Sequence, residues 1–145
     1  MKRWLALGMV VTFGGLVTAQ SGNNGVVHVL PAQLNAALAK GGSLLERPDF
    51  KVSGSHRETG GQVEVHAKET DVLYIVDGEA TFVYGGKMVG GKTSAPDQML
   101  GTDITGGTTA KIGKGDVMIV HAGVPHWFKE VPKSVSYFVV KVIKP

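Results

Sequence analysis

From Phe50 to the end of the chain, apolar and polar positions alternate in short runs rich in Val, Ile, Thr, Tyr and Phe, broken by Gly, Pro and Asp. A period of two residues predicts strands. The runs lie at Phe50–Arg57, Gln62–Ala67, Asp71–Val76, Ala80–Tyr84, Gln98–Ile104, Thr108–Ile112, Val117–His121, Trp127–Glu130 and Ser136–Ile143. So many short strands, with no helix between them, predict an all-β antiparallel barrel or sandwich, because parallel neighbours need crossovers of a dozen or more residues. A single helix is predicted ahead of them at Pro31–Lys40, with Pro31 suited to its first turn, Leu34 and Leu38 one turn apart, and Gly41-Gly42 to stop it. Gly85–Pro96 contains two Gly pairs and no alternation, which predicts a mobile loop between two halves of the barrel.

The first residues follow another pattern. Lys2 and Arg3 precede an uncharged, mostly apolar run from Trp4 to Leu16, and Val17-Thr18-Ala19 closes it with small residues where a signal peptidase needs them. Residues 1–19 are therefore expected to be a signal peptide, residues 20–25 a flexible lead-in, and residues 26–145 one domain. The expected location is periplasmic or secreted, with no membrane contact in the mature form. Without Lys2 and Arg3, the formal charge of +3 falls to 13 basic against 12 acidic side chains. No cluster of Lys and Arg suits a nucleic acid, so that class of partner is not expected. The absence of cysteine means that an exported domain relies on core burial, helped by a possible homodimer interface, instead of disulfides.

Histidine and carboxylate residues concentrate in two stretches, Gly61–Gly78 and Gly115–Phe128. In the first, Glu64, His66 and Lys68 share one face of a strand and Val63 and Val65 the other, so His66 faces solvent if the valines face the core. In the second, Gly123-Val-Pro-His126 turns the chain sharply and aims the side chain that follows.

These stretches resemble the two motifs of the cupin superfamily, small antiparallel jelly-roll barrels with a metal or ligand pocket inside. The second motif runs glycine, five residues, proline, one residue, glycine, two residues, histidine. Gly115, Gly123 and His126 hold those places, and His121 stands where the proline is usual. In the first motif His66 takes the first histidine position, Lys68 the second, and Asp71 stands for the glutamate, seven residues before Gly78 and one residue closer to the histidines than usual. An ammonium has no lone pair, so Lys68 does not replace a histidine ligand.

The resemblance implies a site of His66, Asp71 and His126 for a divalent ion (iron, zinc, manganese or nickel), a donor type that other folds use with open coordination positions. Lys68 or Glu64 would move protons beside it, and a small molecule would be the partner. Other roles stay open: His66 as one rung of a surface charge ladder with Glu64 and Lys68, Asp71 as a backbone acceptor at a strand start, His121 as a replacement ligand or an outward turn residue. His28 and His56 carry no expected chemistry. Three functions compete: a metal-dependent enzyme, a non-catalytic small-molecule binding or sensing module without metal, and a filled structural barrel.

Overall fold

The computed structural model describes residues 25–145. The expected signal peptide and most of the lead-in lie outside the described residues. Helix α1 spans Pro31–Lys40, as the sequence predicts. Gln33 accepts a hydrogen bond from the Leu30 N–H through its side chain, and the chain leaves the helix at Gly41.

Twelve strands follow: β1 Gly42–Glu46, β2 Phe50–Arg57, β3 Val63–His66, β4 Glu69–Tyr84, β5 Lys87–Val89, β6 Lys92–Ala95, β7 Gln98–Gly101, β8 Asp103–Thr105, β9 Thr108–Gly113, β10 Val117–Val120, β11 His126–Glu130 and β12 Val135–Ile143. Every pairing among them is antiparallel. The two runs predicted at Asp71–Val76 and Ala80–Tyr84 are one long strand, β4, with a register shift where it passes Ser136 and Tyr137 of β12. Its first half pairs with β12 and β10, its second half with β11 and β9. One strand thereby belongs to both walls of a curled sheet, and its bend sets the barrel.

The expected mobile loop at Gly85–Pro96 is corrected by the structure: β5 and β6 occupy it, β5 paired with β8 and β6 with β7. The physical reason is backbone pairing, since β6 is exposed along its whole length and still pairs with β7, together with local packing of β5. The β5–β8 ribbon folds over the outer side of β7, where a Cβ added at Gly101 would lie 2.8 Å from the Val89 carbonyl oxygen and 2.9 Å from Met88 Sδ. Gly101 is opposite Val63, and Val63 is fully buried. The sequence's either-or for this strand therefore dissolves, since β3 is covered on both faces and Val63 and His66 are both buried.

Inside the barrel, Leu73, Ile75, Phe82, Ile112, Phe128 and Val139 form part of one apolar cluster. Phe82 and Phe128 meet edge to face at 4.9 Å, and Tyr137 stacks on Phe128. Burial of such side chains at about 25 cal/mol per Å² is the main source of stability in a domain without disulfides. The cluster fills one end of the interior; the polar residues gather at the other.

Candidate metal centre

Three local devices bring the polar residues together. Glu64 and His66 are two residues apart on β3 and so share its inner face. His126, the first residue of β11, stands directly opposite Glu64. Asp71, on β4, is flanked by Lys141 of β12 and Val120 of β10. The two motif stretches are also tied by their backbones: Gly123, at φ 84°, donates its N–H to the His66 carbonyl at 2.8 Å. That conformation costs little only for glycine, and it sets the turn that delivers His126 inward.

The imidazoles of His66 and His126 lie on the same side of the sheet with ring centres 5.3 Å apart. His66 Nε2 is 3.4 Å from Glu64 Oε2 and 3.6 Å from Asp71 Oδ2, while His126 Nε2 is 3.8 Å from the same Asp71 oxygen. One donor atom from each of Glu64, His66 and His126 falls within 4.8 Å of the others, and a second group of His66, Glu69 and Asp71 meets the same limit. His66, Asp71 and His126 are each about 95% buried.

Hydrogen bonding orients the rings. His126 Nδ1 lies 3.1 Å from the Val124 carbonyl, so Nδ1 carries the proton and donates, leaving the Nε2 lone pair facing the cluster. His66 Nε2 is buried with no hydrogen-bond partner. A buried nitrogen of this kind costs about 1–3 kcal/mol unless something binds it. Burial is also the largest influence on the basicity of His126: it pushes the imidazole below its ordinary value, outweighing the Val124 carbonyl and the Asp71 and Glu64 charges. The ring is therefore neutral near pH 7. For Glu64 burial again acts first and opposes ionisation, but the approach of His66, too poorly aligned for a full hydrogen bond, and the charges of Arg57 and the two histidines win, holding its carboxyl at about 2. The Nε2 atoms of His66 and His126 and the Glu64 carboxylate make a donor set that fits a divalent metal.

Lysine 141 complicates the set. Lys141 Nζ donates to both Asp71 oxygens at 2.9 Å and lies 3.1 Å from Glu69. Asp71 thus sits beside both imidazoles while its charge is already matched by an ammonium. Arg57 plays the corresponding part toward Glu64, with Nη2 3.3 Å from Oε1, Nε donating to the Tyr137 hydroxyl at 2.9 Å, and the guanidinium 4.9 Å from the Phe128 ring centre. Arg57, Glu64, Asp71, His126, Tyr137 and Lys141 line a cavity of about 170 Å³.

Of the residues singled out in the sequence, His66, His126, Asp71 and Glu64 come together. Lys68 and His121 do not. Lys68 is exposed at the mouth and pairs with Asp97 at 3.4 Å, and His121 is exposed on a turn where its carbonyl accepts from Val124. Arg57 and Lys141 had not been singled out. The signal for Lys141 was present in β12, where the inward positions Tyr137, Val139 and Lys141 put a charge into an otherwise apolar file.

The family model for cupins matches residues 50–145, two-thirds of the chain and every strand from β2 onward. The chain belongs to the cupin family. Members of this family commonly bind divalent metals or small molecules. Solved structures agree with the fold. The cupin domain of Schizosaccharomyces pombe Cnp3 superposes with a TM-score of 0.52 at 16% identity, covering 71% of this chain and 59% of its own. A Neisseria meningitidis protein superposes at 0.53 and 14% identity over 79% and 98% of the two chains. For a Bacillus halodurans protein the values are 0.51, 10%, 71% and 69%. No curated protein matches the chain.

Proposed function

We propose that this cupin binds one divalent metal through His66 Nε2, His126 Nε2 and Glu64, with Asp71 as the adjoining carboxylate, and that it acts on or holds a small molecule in the cavity beside it. The observation that carries the proposal is the unpartnered, buried His66 Nε2, which faces a second free imidazole nitrogen and an ionised carboxylate. Iron, zinc, manganese and nickel all suit nitrogen and carboxylate donors. Bound there, the ion supplies Lewis acidity to an oxygen-bearing ligand.

The chain's own groups divide the remaining work. The Val124 carbonyl fixes the tautomer of His126, and the Arg57 guanidinium holds one Glu64 oxygen while the other faces the imidazoles. Lys141 carries protons at Nζ on the cavity wall, within reach of a ligand that displaces Asp71. Phe82, ring-stacked against His126, helps exclude water from the buried side. Lys68, expected from sequence to move protons, pairs with Asp97 at 3.4 Å and lines a cleft together with His66 and Glu69. Export to the periplasm or medium, read from residues 1–19, belongs to the same proposal.

Metal analysis of protein purified without a histidine tag tests the reading. About one equivalent of iron, zinc, manganese or nickel, lost in His66→Ala and in His126→Ala, is the expected result. Less than about a tenth of an equivalent, unchanged after incubation with each ion, overturns it. A thermal-shift response to small acids, sugars or phenols without metal would then support the metal-free binding module instead.

A further inference from the structure

Strand β1 lies outside the cupin match, and Gln98 lies outside both motif stretches. Together they complete a second space at the mouth of the barrel. It is a cleft of about 350 Å³ that also touches Glu64, His66 and Lys141. Small-molecule sites are mostly lined by apolar side chains with a few polar groups among them. This cleft differs, because among the described residues every side chain lining it is polar.

Its charges are matched internally. Glu46 of β1 stands directly opposite Lys51 of β2, and Lys51 Nζ donates to Glu69 at 2.9 Å. Glu69 in turn lies 3.1 Å from Lys141 Nζ, which donates to both oxygens of Asp71. Carboxylates and ammoniums therefore alternate along the wall, each ammonium between two carboxylates. Three neutral groups remain. Ser43 and Ser53 are directly opposite each other across β1 and β2, and Gln98 is directly opposite His66 across β7 and β3. Opposed residues of an antiparallel pair hold their Cβ atoms about 4.5–5.5 Å apart, so these side chains are immediate neighbours. None of the three side chains makes a hydrogen bond among the described residues; Gln98 accepts one from Ser94 through its main-chain carbonyl alone.

We infer that this cleft binds a neutral polyhydroxylated ligand, a single sugar or cyclic polyol, and that Gln98 reads its hydroxyl groups. A hydroxyl both donates and accepts, and so matches an amide with one acceptor and two N–H donors beside two serine hydroxyls. An apolar ligand would strip water from Ser43, Ser53 and Gln98 and return no hydrogen bond. An anion would face Glu46, Glu64 and Glu69 and would have to break the ion pairs that hold both lysines. The volume is at the lower end of the range for small-molecule sites, which suits one ring and not a chain of them. His66 borders the cleft as well as the donor set, so the inference names the ligand class of the site proposed above. The hydrogen bonds come from the cleft's own side chains, however, and do not require the ion.

Isothermal titration of the purified full chain, as its expression host processes it, tests the inference. Pentoses, hexoses and myo-inositol are titrated at tens of millimolar before and after chelation of metal, with malate and phenol as the anionic and apolar comparisons. At least one polyol should bind both forms of the protein. Gln98→Leu, and the double variant Ser43→Ala with Ser53→Ala, should each weaken that binding at least about tenfold while circular dichroism stays that of the wild type. The serine variant decides if Gln98→Leu does not fold. Metal content, measured on the same samples, should be unchanged in Gln98→Leu, so failure of polyol binding and failure of the metal reading are separate results. No binding of any polyol, binding only of malate or phenol, polyol binding that disappears with the metal, or folded variants that bind as tightly as the wild type would overturn it.

Discussion

Replacing Lys141 with methionine keeps the length of the side chain and removes the cation that meets Asp71 at 2.9 Å on both oxygens and Glu69 at 3.1 Å. Without metal, the variant leaves the Asp71 carboxylate, 6% exposed, without its lysine. Breaking a buried pair by deleting one partner costs about 3–5 kcal/mol. Lys141 is itself 23% exposed and water screens part of the attraction, so the lower end, about 3 kcal/mol, is expected. For a domain of this size that corresponds to about 10 °C in Tm. The double variant Lys141→Met with Asp71→Asn removes both charges and should recover most of the loss, giving a coupling of at least about 1.5 kcal/mol in the cycle. Metal reverses the order. A divalent ion replaces the missing ammonium as the partner of Asp71, and Asp71 becomes free to ligate, so Lys141→Met should bind zinc or manganese at least about tenfold more tightly than the wild type. Calorimetric titration and thermal unfolding, with and without the ion, read both effects. A metal-free variant within about 1 kcal/mol of the wild type, or one that binds metal more weakly, would refute the assignment of Asp71 as a carboxylate shared between lysine and site.

Acid should destabilise the metal-free protein in two stages. His126 is depressed below its ordinary value of 6.5 by burial, so the unfolded chain takes up that proton first and stability begins to fall below about pH 6.5. Glu64 is held at about 2 against an ordinary 4.5, so its contribution, up to about 3 kcal/mol, is present above about pH 4.5 and is lost between there and about pH 2. Urea midpoints at pH 7.5, 5.5 and 3.5 check this, and Glu64→Gln should flatten only the lower stage; equal midpoints throughout would contradict both. Gly54→Val should cost about 2 kcal/mol and expose α1 to proteolysis, because its Cβ would meet backbone atoms of Ala37 and Leu38 that have no room to give. Unchanged protease resistance of α1 would count against the helix–sheet contact.

The strands were legible because period-two alternation is a local property, and α1 because Pro31 and Gly41 mark its ends. Strand β5 was not: Gly85–Pro96 has no alternation of its own, and its order comes from pairing with β8 and from Met88 and Val89 packing against Gly101. Covering on both sides explains why the valine and histidine faces of β3 could not be ranked from sequence, since both are buried. Spacing picked out His66 and His126. It undervalued Glu64, which shares the inner face with His66 and was read as a proton carrier, and it gave no hint that Lys141 would cross to Asp71, because that contact depends on the β12–β4 register. Lys68 drew attention through the motif position it occupies, but it lies beyond the last residue of β3 at the mouth and turns to Asp97.

Anomalous diffraction from crystals soaked in zinc or manganese tests the central claim most directly. The account predicts one strong peak inside the barrel, about 2.0–2.2 Å from His66 Nε2, His126 Nε2 and a Glu64 oxygen. Fully occupied soaks with peaks only at surface groups such as Lys68–Asp97 or His121, and none between the two imidazoles, would contradict it.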